Sequence, residues 1–218
     1  MRKEFIMKES KVEITGFEAR HYDSLLNFMS LGSYAVFIRR VIERMKIQPG
    51  DRILDLGCGT GRNSFLMAKY LSNDGGIVGL DIGEEMIRQF EQKFQNYPNI
   101  VIKNYRIEKP LPFEKEFDKA FLSFVLHGFP DDKKELIIQN IKKALKPNGQ
   151  LFILDYNEFD LAKKPWFFQK AFVNLECRLA LDYIKVDWKK RLTQWGFDSF
   201  EENFFYWKIA RLLKIELI

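Results

Sequence analysis

Three glycines follow an apolar stretch in the sequence "DRILDLGCGTGRNSF", which spans residues 51–65. "RILDL" predicts a short buried strand and "RNSFLMAKYL" predicts a helix, so Gly57, Gly59 and Gly61 lie in the turn between them. Glycine at a strand-to-helix turn lets the backbone approach a ligand closely and directs the helix N-terminus towards that ligand. The stretch therefore predicts a ligand-binding turn within a fold that alternates strands and helices.

The rest of the chain continues this alternation. The further predicted strands are "IVGLD", "NIVIKN", "FDKAFLSFVL" and "QLFILDYN". The helices between them are "EEMIRQFEQKF" and "DDKKELIIQNIKKALKPNG"; the second has acids in its first turn, lysines near its end and Pro-Asn-Gly as its stop. Helix "DWKKRLTQWGF", ending at Gly196, precedes two terminal strands. The order predicts an α/β fold, with a mainly parallel sheet, helices on both faces and a C-terminal hairpin.

Composition limits the class of protein. A chain of 218 residues with 46% hydrophobic and 30% charged residues suits one soluble domain. The two cysteines, Cys58 and Cys177, are too few for a disulfide framework and match no zinc-binding spacing, so we expect a cytoplasmic protein without a metal. "MRKEFIMKESKVEITG" lacks the apolar core of a secretory signal, and the uncharged run 24–38 is too short to span a membrane.

The formal net charge of +5 fits a solvated surface of mixed charge. No dense run of lysine and arginine marks a nucleic-acid-binding face, so a nucleic-acid partner is not expected.

The acid at the end of the second predicted strand narrows the class of ligand. A dinucleotide-binding turn has the pattern G-x-G-x-x-G, but Arg62 occupies the position of its third glycine. Asp81 follows about 20 residues after the glycines, where an acid can bind ribose hydroxyls. The alternative role for Asp81 is a helix cap before "GEEM". An adenosine-type ligand is therefore favoured over a nicotinamide dinucleotide.

Four motifs carry a resemblance to a known family. "ILDLGCGTGRNSFLMA", "GLDIGEEMI", "LPFEKEFDKAFLSFVLHGFPD" and "IKKALKPNGQLFILDY" occur in the order found in class I S-adenosylmethionine-dependent methyltransferases. The segment "ARHYDSLLNFMSLGSYAVFIRRVI" is similar to the corresponding part of the ubiquinone/menaquinone biosynthesis C-methyltransferases. The resemblance covers residues 22–157. It implies a Rossmann-like, doubly wound sheet of seven strands, S-adenosylmethionine as the cofactor and S-adenosylhomocysteine as its product.

This resemblance divides the chain, residues 1–218, into four parts of one methyltransferase domain. The parts are an N-terminal helical cap (1–46, helical over 17–46), a cofactor-binding core (47–157), an aromatic helical insert expected to cover the substrate (158–186), and a last helix with the terminal strands (187–218).

The resemblance also implies the cofactor contacts. Gly57 and Gly59 let the backbone pass beside the methionine part, Asp55 faces the amino group, and Asp81 takes both ribose hydroxyls. The other implied cofactor-binding residues are Tyr22, Cys58, Gly61, Ile82, Met86, Ser123 and Phe124.

One motif departs from the family pattern. After the third strand the family often has Gly-Asp-Ala, whose aspartate contacts the adenine, whereas this chain has "KNYRIEKPLPF". Asn104, Tyr105 or Arg106 stands in place of that acid, and Asn104 and Tyr105 are the expected replacements.

Residues after the fourth and fifth strands are candidates for the chemistry. His127 lies at the carboxyl edge of the sheet, where ligands bind in such folds, and an imidazole suits a general base. The alternative is a loop residue with a structural role. Asp155 and Tyr156 end the fifth strand at the same edge. Together with His127 and with Trp166 of the aromatic insert, they are the expected substrate contacts.

The predicted function is in-line transfer of a methyl group from S-adenosylmethionine to a small acceptor, with lipophilic and aromatic molecules as candidates. Three alternatives stay open: a nicotinamide-dependent oxidoreductase, a catalytically inactive S-adenosylmethionine-binding regulatory or partner protein, and an RNA methyltransferase. The tryptophan and lysines of "KKPWFFQK" permit peripheral contact with a membrane, but such contact is not the expectation.

Overall fold

The computed structural model of the protein describes residues 33–217. The strands in this range are β1 (Arg52–Leu56), β2 (Gly76–Asp81), β3 (Ile100–Asn104), β4 (Phe117–Ser123), β5 (Leu145–Tyr156), β6 (Phe200–Phe205) and β7 (Ala210–Glu216). The α-helices are α1 (Ser33–Arg44), α2 (Arg62–Ala68), α3 (Glu84–Phe94), α4 (Asp131–Ala144), α5 (Trp166–Leu175), α6 (Arg178–Tyr183) and α7 (Trp188–Gln194). Two short 3-10 helices lie at Leu126–Gly128 and Leu161–Lys163.

The strands form one seven-stranded sheet in the order β3-β2-β1-β4-β5-β7-β6. Strands β1 to β5 pair in parallel, and β7 runs antiparallel to both β5 and β6. The prediction of a doubly wound, mainly parallel sheet with a C-terminal antiparallel hairpin is confirmed. The strand order reverses between β1 and β4, so their carboxyl ends form the crevice where ligands bind in open α/β sheets.

Strand β5 illustrates how the sequence covers both faces of the sheet. Successive side chains of a strand point to opposite faces. Leu151 and Ile153 belong to the core that includes Ile137 of α4 and Trp188 of α7. Phe152 and Leu154 belong to the core that contains buried residues of α1 and α3. Burial on both faces explains why "LFIL" is continuously apolar and not alternating.

Helix α4 is shorter than its sequence pattern predicts. The predicted stop is Pro147-Asn148-Gly149, but the helix already ends at Ala144, because Leu145 pairs with Phe117 of β4. Proline disfavours helical backbone in the residue before it, and Asn148 adopts a φ of 61°. The Pro-Asn-Gly segment is thus an irregularity at the start of β5.

Strand β4 also ends earlier than predicted, at Ser123 and not at Leu126. The next residue, Phe124, has a φ of 54°, in the left-handed region that non-glycine residues seldom adopt. The chain then forms the 3-10 helix Leu126–Gly128. This bend turns the chain away from the sheet at the crevice and brings His127 to its edge.

Part of the predicted N-terminal cap lies outside the described residues. Helix α1 begins at Ser33, within the predicted helix 17–46, while Tyr22 falls before residue 33. Within residues 33–217, no helix combines the length and apolar character needed to cross a membrane.

Candidate functional site

The glycine turn after β1 depends on three residues with positive φ: Gly57 at 68°, Gly59 at 55° and Gly61 at 74°. A Cβ atom on Gly57 would lie 2.5 Å from Val125 Cγ2, and one on Gly61 would lie 2.6 Å from Phe90 Cδ2. A Cβ on Gly59 would meet no atom within 4 Å. Two of the glycines therefore serve packing within the protein, whereas Gly59 adjoins open space that a ligand can use.

Asp81, at the end of β2, connects the glycine turn to the start of α3. Its Oδ2 accepts a hydrogen bond of 2.8 Å from the Gly59 backbone N–H. Its Oδ1 accepts bonds from the N–H groups of Ile82, at 2.8 Å, and Gly83, at 2.9 Å. The carboxylate thus caps the start of α3 and also lies beside the open space at Gly59. A carboxylate has about four lone-pair sites, so acceptor capacity remains for a ligand hydroxyl.

A cleft at the carboxyl ends of β1, β2 and β4, called here the polar cleft, brings many of the predicted residues together. Its lining includes the predicted residues Gly57, Asp81, Ile82, Tyr105, Phe124 and His127. The described residues that line it without having been assigned to the site are Leu80, Arg106, Ile107, Glu108, Val125, Gly128 and Phe129.

Other predicted cofactor residues lie outside that lining. Cys58 and Met86 are buried. Asn104 is exposed at the end of β3 and pairs in register with Asp81. The Ser123 Oγ atom is buried and has no hydrogen-bond partner among the described residues. Buried polar atoms of proteins usually have a hydrogen-bond partner. The Ser123 hydroxyl, at the end of β4, is therefore available for a hydrogen bond to a polar group of a ligand.

Asp55 is buried at the end of β1, one residue before the strand terminus. Its Oδ2 accepts a hydrogen bond of 2.5 Å from the Ser64 hydroxyl. Burial raises the pKa of the Asp55 carboxyl to about 7; the bond from Ser64 opposes this rise, and the charge of Asp81 adds to it. The carboxyl is therefore close to half-ionised at neutral pH, and a nearby cationic group would favour its ionised form.

His127 lies in a group of four side chains, called here the His127 cluster, in which His127 and Asp155 are buried and Tyr156 and Glu176 are part-buried. His127 Nδ1 is 2.7 Å from Asp155 Oδ1, and the His127 backbone N–H donates to Asp155 Oδ2 at 3.1 Å. His127 Nε2 is 3.5 Å from Glu176 Oε2. The hydroxyl of Tyr156 donates to Glu176 Oε1 at 2.7 Å. The cluster thus joins the ends of β4 and β5 to the C-terminal end of the aromatic insert helix α5.

The two carboxylates determine the protonation of His127. Burial lowers the pKa of the imidazole, but the charges and hydrogen bonds of Asp155 and Glu176 outweigh it and raise the pKa to about 10. The ring is therefore protonated at neutral pH, and both of its nitrogens are donors. In this state the imidazole has no lone pair with which to take a proton from an acceptor.

A second cavity of about 610 Å³, called here the apolar groove, lies between α5 and the turn that joins β6 to β7. The described residues that line it are Phe124, Tyr156, Lys164, Pro165, Phe167, Phe168, Tyr206, Trp207, Ile209 and Ala210. Phe124 lines the polar cleft as well. The left-handed bend at Phe124 therefore lies where the two cavities adjoin. Trp166, a predicted substrate contact, is 75% exposed and does not belong to this lining.

Sequence reasoning missed Glu176 and the turn after β6. Glu176 is the one acid in "WFFQKAFVNLEC", and an isolated acid in an apolar helix was the available signal. Residues 206–208, "YWK", carried no such signal, because only the folded hairpin brings them beside α5.

Comparison with known proteins identifies the family. A family model described as a methyltransferase domain matches residues 47–199. Demethylmenaquinone methyltransferase of Lactobacillus johnsonii is 30% identical over 143 residues, which is 64% of this chain and 58% of that protein. 2-Phytyl-1,4-naphtoquinone methyltransferase of Trichormus variabilis is 29% identical over 167 residues, covering 73% and 72%. The chain spans 58% and 56% of the first two curated relatives that it matches.

Solved structures show the same fold. Human N-acetylserotonin methyltransferase in complex with SAM has a TM-score of 0.67 at 20% identity, covering 92% of this chain and 56% of that one. A SAM-dependent methyltransferase from Aquifex aeolicus has a TM-score of 0.61 at 18% identity, covering 83% and 89%. The predicted Rossmann-like methyltransferase fold and the resemblance found in the motifs are both confirmed. Because the methyltransferase domain model matches more than half of the chain, the protein belongs to the methyltransferase domain family.

Proposed function

We propose that the protein is an S-adenosylmethionine-dependent methyltransferase that methylates a small, apolar, quinone-type acceptor. The observation that carries this proposal is the contact of two unlike cavities at Phe124. One cavity adjoins the glycine turn and contains the Asp81 carboxylate, and the other is lined mainly by aromatic side chains. A transferase of this kind must hold a polar cofactor and an apolar acceptor next to each other.

The residues of the polar cleft, together with residues of the adjoining glycine turn and strand ends, fit S-adenosylmethionine. The Asp81 carboxylate suits the ribose hydroxyls, the open space at Gly59 admits close approach to the backbone, and the Ser123 hydroxyl lacks a partner among residues 33–217. Asp55 would ionise beside a cationic amino group. Tyr105 lines the cleft where the adenine-contacting acid of the family is missing. When bound, the cofactor supplies a methyl group activated by its sulfonium.

The apolar groove suits an acceptor with an aromatic ring and an apolar chain. Its volume of about 610 Å³ lies in the usual range of small-molecule sites. Phe168 and Tyr156 present aromatic surfaces on which a planar ring can stack. The relatives named above act on a demethylmenaquinone and a 2-phytyl-1,4-naphtoquinone, which combine such a ring with such a chain.

The His127 cluster is suited to the proton that the acceptor releases. Glu176 contacts both Tyr156, at the groove, and His127, at the cleft. Because the protonated His127 has no free lone pair, we assign the base role to the Glu176 carboxylate, which would take the proton while His127 holds this carboxylate through Nε2. Asp155 orients the ring through Nδ1 and the backbone N–H.

Calorimetric titration with S-adenosylhomocysteine, with NAD as the control, tests the cofactor assignment. We expect micromolar binding of the first and none of the second. Incubation with radiolabelled S-adenosylmethionine and a demethylated quinol then tests methyl transfer. Binding of NAD alone would support an oxidoreductase. Cofactor binding without transfer to quinols, other small acceptors or RNA would support an inactive binding protein.

Two glycine substitutions separate cofactor binding from stability. Gly61→Ala should lower the free energy of unfolding by about 2–4 kcal/mol, since the left-handed backbone and the contact with Phe90 both oppose a Cβ. Gly59→Ala should cost only about 1–2 kcal/mol, from the backbone alone. Its Cβ would occupy the proposed ligand space, so the affinity for S-adenosylhomocysteine should fall about tenfold or more. Urea unfolding and calorimetry measure the two effects.

The folded fraction of Gly61→Ala should bind S-adenosylhomocysteine nearly as the unaltered protein does. Unchanged affinity in Gly59→Ala would show that the cofactor does not occupy the space at this glycine.

A further inference from the structure

Three large apolar side chains around the mouth of the apolar groove are exposed to solvent. Trp207 is 91% exposed, Trp166 is 75% exposed and Phe167 is 62% exposed. By contrast, Trp188 is 1% exposed. Contiguous exposed apolar residues on a soluble domain usually mark a surface that contacts a partner or a membrane.

These side chains come from two separate segments that meet at the groove. Trp166 and Phe167 begin helix α5, and Trp207 lies in the turn between β6 and β7. Phe167 and Trp207 both line the groove. We call Trp166, Phe167, Tyr206 and Trp207 the aromatic rim. Its members surround one opening and are not scattered over the surface.

The turn that carries Trp207 has an unfavourable backbone. Tyr206, Trp207 and Lys208 have φ angles of 49°, 52° and 65°, all in the left-handed region. The N–H of Ile209 closes the turn with bonds to the carbonyls of Phe205 and Tyr206. Three consecutive non-glycine residues in this region are a strained arrangement, and such strain concentrates at functional sites.

Basic side chains flank the aromatic rim. Lys163, Lys164 and Lys170 lie beside or on α5, and Lys208 follows Trp207. Lys164 and Lys208 also lie over the rings of Phe159 and Phe204, at 5.3 Å and 5.4 Å from the ring centroids. The acid Asp160 is 3.6 Å from Lys163 and offsets one of these charges. The surface around the groove mouth therefore combines aromatic tips with an excess of positive charge.

The combination of exposed aromatic and basic side chains favours a membrane over a protein as the partner of this surface. Tryptophan and tyrosine are enriched at the level of lipid headgroups, and lysines near that level are attracted to anionic lipids. Protein–protein interfaces are instead depleted in lysine. The rim complements a negatively charged, partly apolar surface better than the surface of another protein.

We propose that the aromatic rim docks this protein on the surface of anionic phospholipid membranes, with Trp166, Phe167 and Trp207 inserted at headgroup level. In this orientation the mouth of the apolar groove faces the bilayer. Under the proposed function, a lipophilic acceptor enters the groove directly from the membrane. The docking itself does not depend on methyl transfer.

Flotation with lipid vesicles tests the docking. The full chain should bind vesicles of phosphatidylcholine with about 30% phosphatidylglycerol, and should bind pure phosphatidylcholine about tenfold more weakly. The double variant Trp166→Ala/Trp207→Ala should lose about tenfold or more in affinity for the mixed vesicles. Lys163→Glu/Lys208→Glu should abolish the preference for the anionic lipid. Since all four side chains are exposed, these variants should unfold at the same temperature as the unaltered protein.

A matched control replaces exposed apolar residues away from the rim. Tyr70→Ala/Leu136→Ala removes side chains that are 43% and 46% exposed, after α2 and on α4. This variant should bind vesicles as the unaltered protein does. The proposal is overturned if the unaltered protein binds neither kind of vesicle. It is also overturned if the rim variant binds the mixed vesicles as well as the control variant does. Rim-dependent dimerisation without vesicle binding would assign the rim to a second copy and would also overturn it.

The affinity for S-adenosylhomocysteine can be measured without any methyl transfer. This measurement therefore keeps the test of docking separate from the test of the proposed function. The rim variant should bind S-adenosylhomocysteine with unchanged affinity, since neither tryptophan lines the polar cleft. Vesicle binding by a protein that does not bind S-adenosylhomocysteine would uphold the docking and reject the proposed function.

Discussion

Replacing Asp81 by asparagine is expected to weaken the binding of S-adenosylhomocysteine by about 10- to 100-fold. Three backbone N–H groups already occupy three of the roughly four acceptor sites of the carboxylate, so in the proposed complex it accepts a ribose hydroxyl at the remaining site. A hydrogen bond to a charged group contributes about 1.5–3 kcal/mol, which is about one to two orders of magnitude in the dissociation constant. Calorimetric titration of the purified variant measures the loss.

Asp118→Asn is the matched control. Asp118 is also a part-buried carboxylate that accepts a backbone N–H, that of Arg52, but it lies near the start of β4, away from the polar cleft. The control should retain full affinity for S-adenosylhomocysteine. Asparagine keeps one acceptor oxygen for the N–H groups of Ile82 and Gly83 but loses the bond from the Gly59 N–H, so a purely structural role predicts about 1 kcal/mol of lost stability. That loss with unchanged affinity would remove Asp81 from the ribose-binding role.

Replacing His127 by glutamine is expected to destabilise the protein by about 3 kcal/mol at neutral pH, because it leaves the buried carboxylate of Asp155 without its cation. The pKa of His127 in the folded protein, about 10, is above its ordinary value of 6.5. A raised pKa contributes stability that is fully present below pH 6.5 and is lost as the pH rises through 10. The difference between the two proteins should therefore shrink over this range. Urea unfolding at several pH values measures it.

The same variant should leave the binding of S-adenosylhomocysteine nearly unchanged and should lower methyl transfer. A stability difference that stays constant from pH 6.5 to pH 10 would show that His127 is not held as a cation. Glu176→Gln provides a comparison, since it removes the more exposed carboxylate of the cluster and should have a smaller effect on stability.

The parts of the fold that follow from local rules could be predicted from the sequence. The continuous apolar run "LFIL" requires burial on both faces of a sheet. The glycine turn could be placed because few other residues tolerate its positive φ angles. Asp81 could be assigned to the ligand edge, since its distance along the chain from the glycines corresponds to one strand–helix–strand unit.

The features that depend on distant contacts could not be predicted. The carboxylate of Glu176 meets His127 only because α5 folds back over the end of β5. The positive charge of His127 depends in part on its contact with Glu176, so the sequence alone could not distinguish a neutral imidazole from a cation. The end of α4 at Ala144 was likewise decided by pairing, because Leu145 joins the sheet beside Phe117. Trp207 approaches α5 only through the hairpin of β6 and β7.

The position of Phe124 has a consequence for the order of events under the proposed function. Phe124 lines both the polar cleft and the apolar groove, and the two linings share no other described residue. If the cofactor occupies the cleft and the acceptor occupies the groove, exchange of the acceptor would not require prior departure of the nucleoside product. The proposed arrangement would then impose no compulsory sequence of arrival and release.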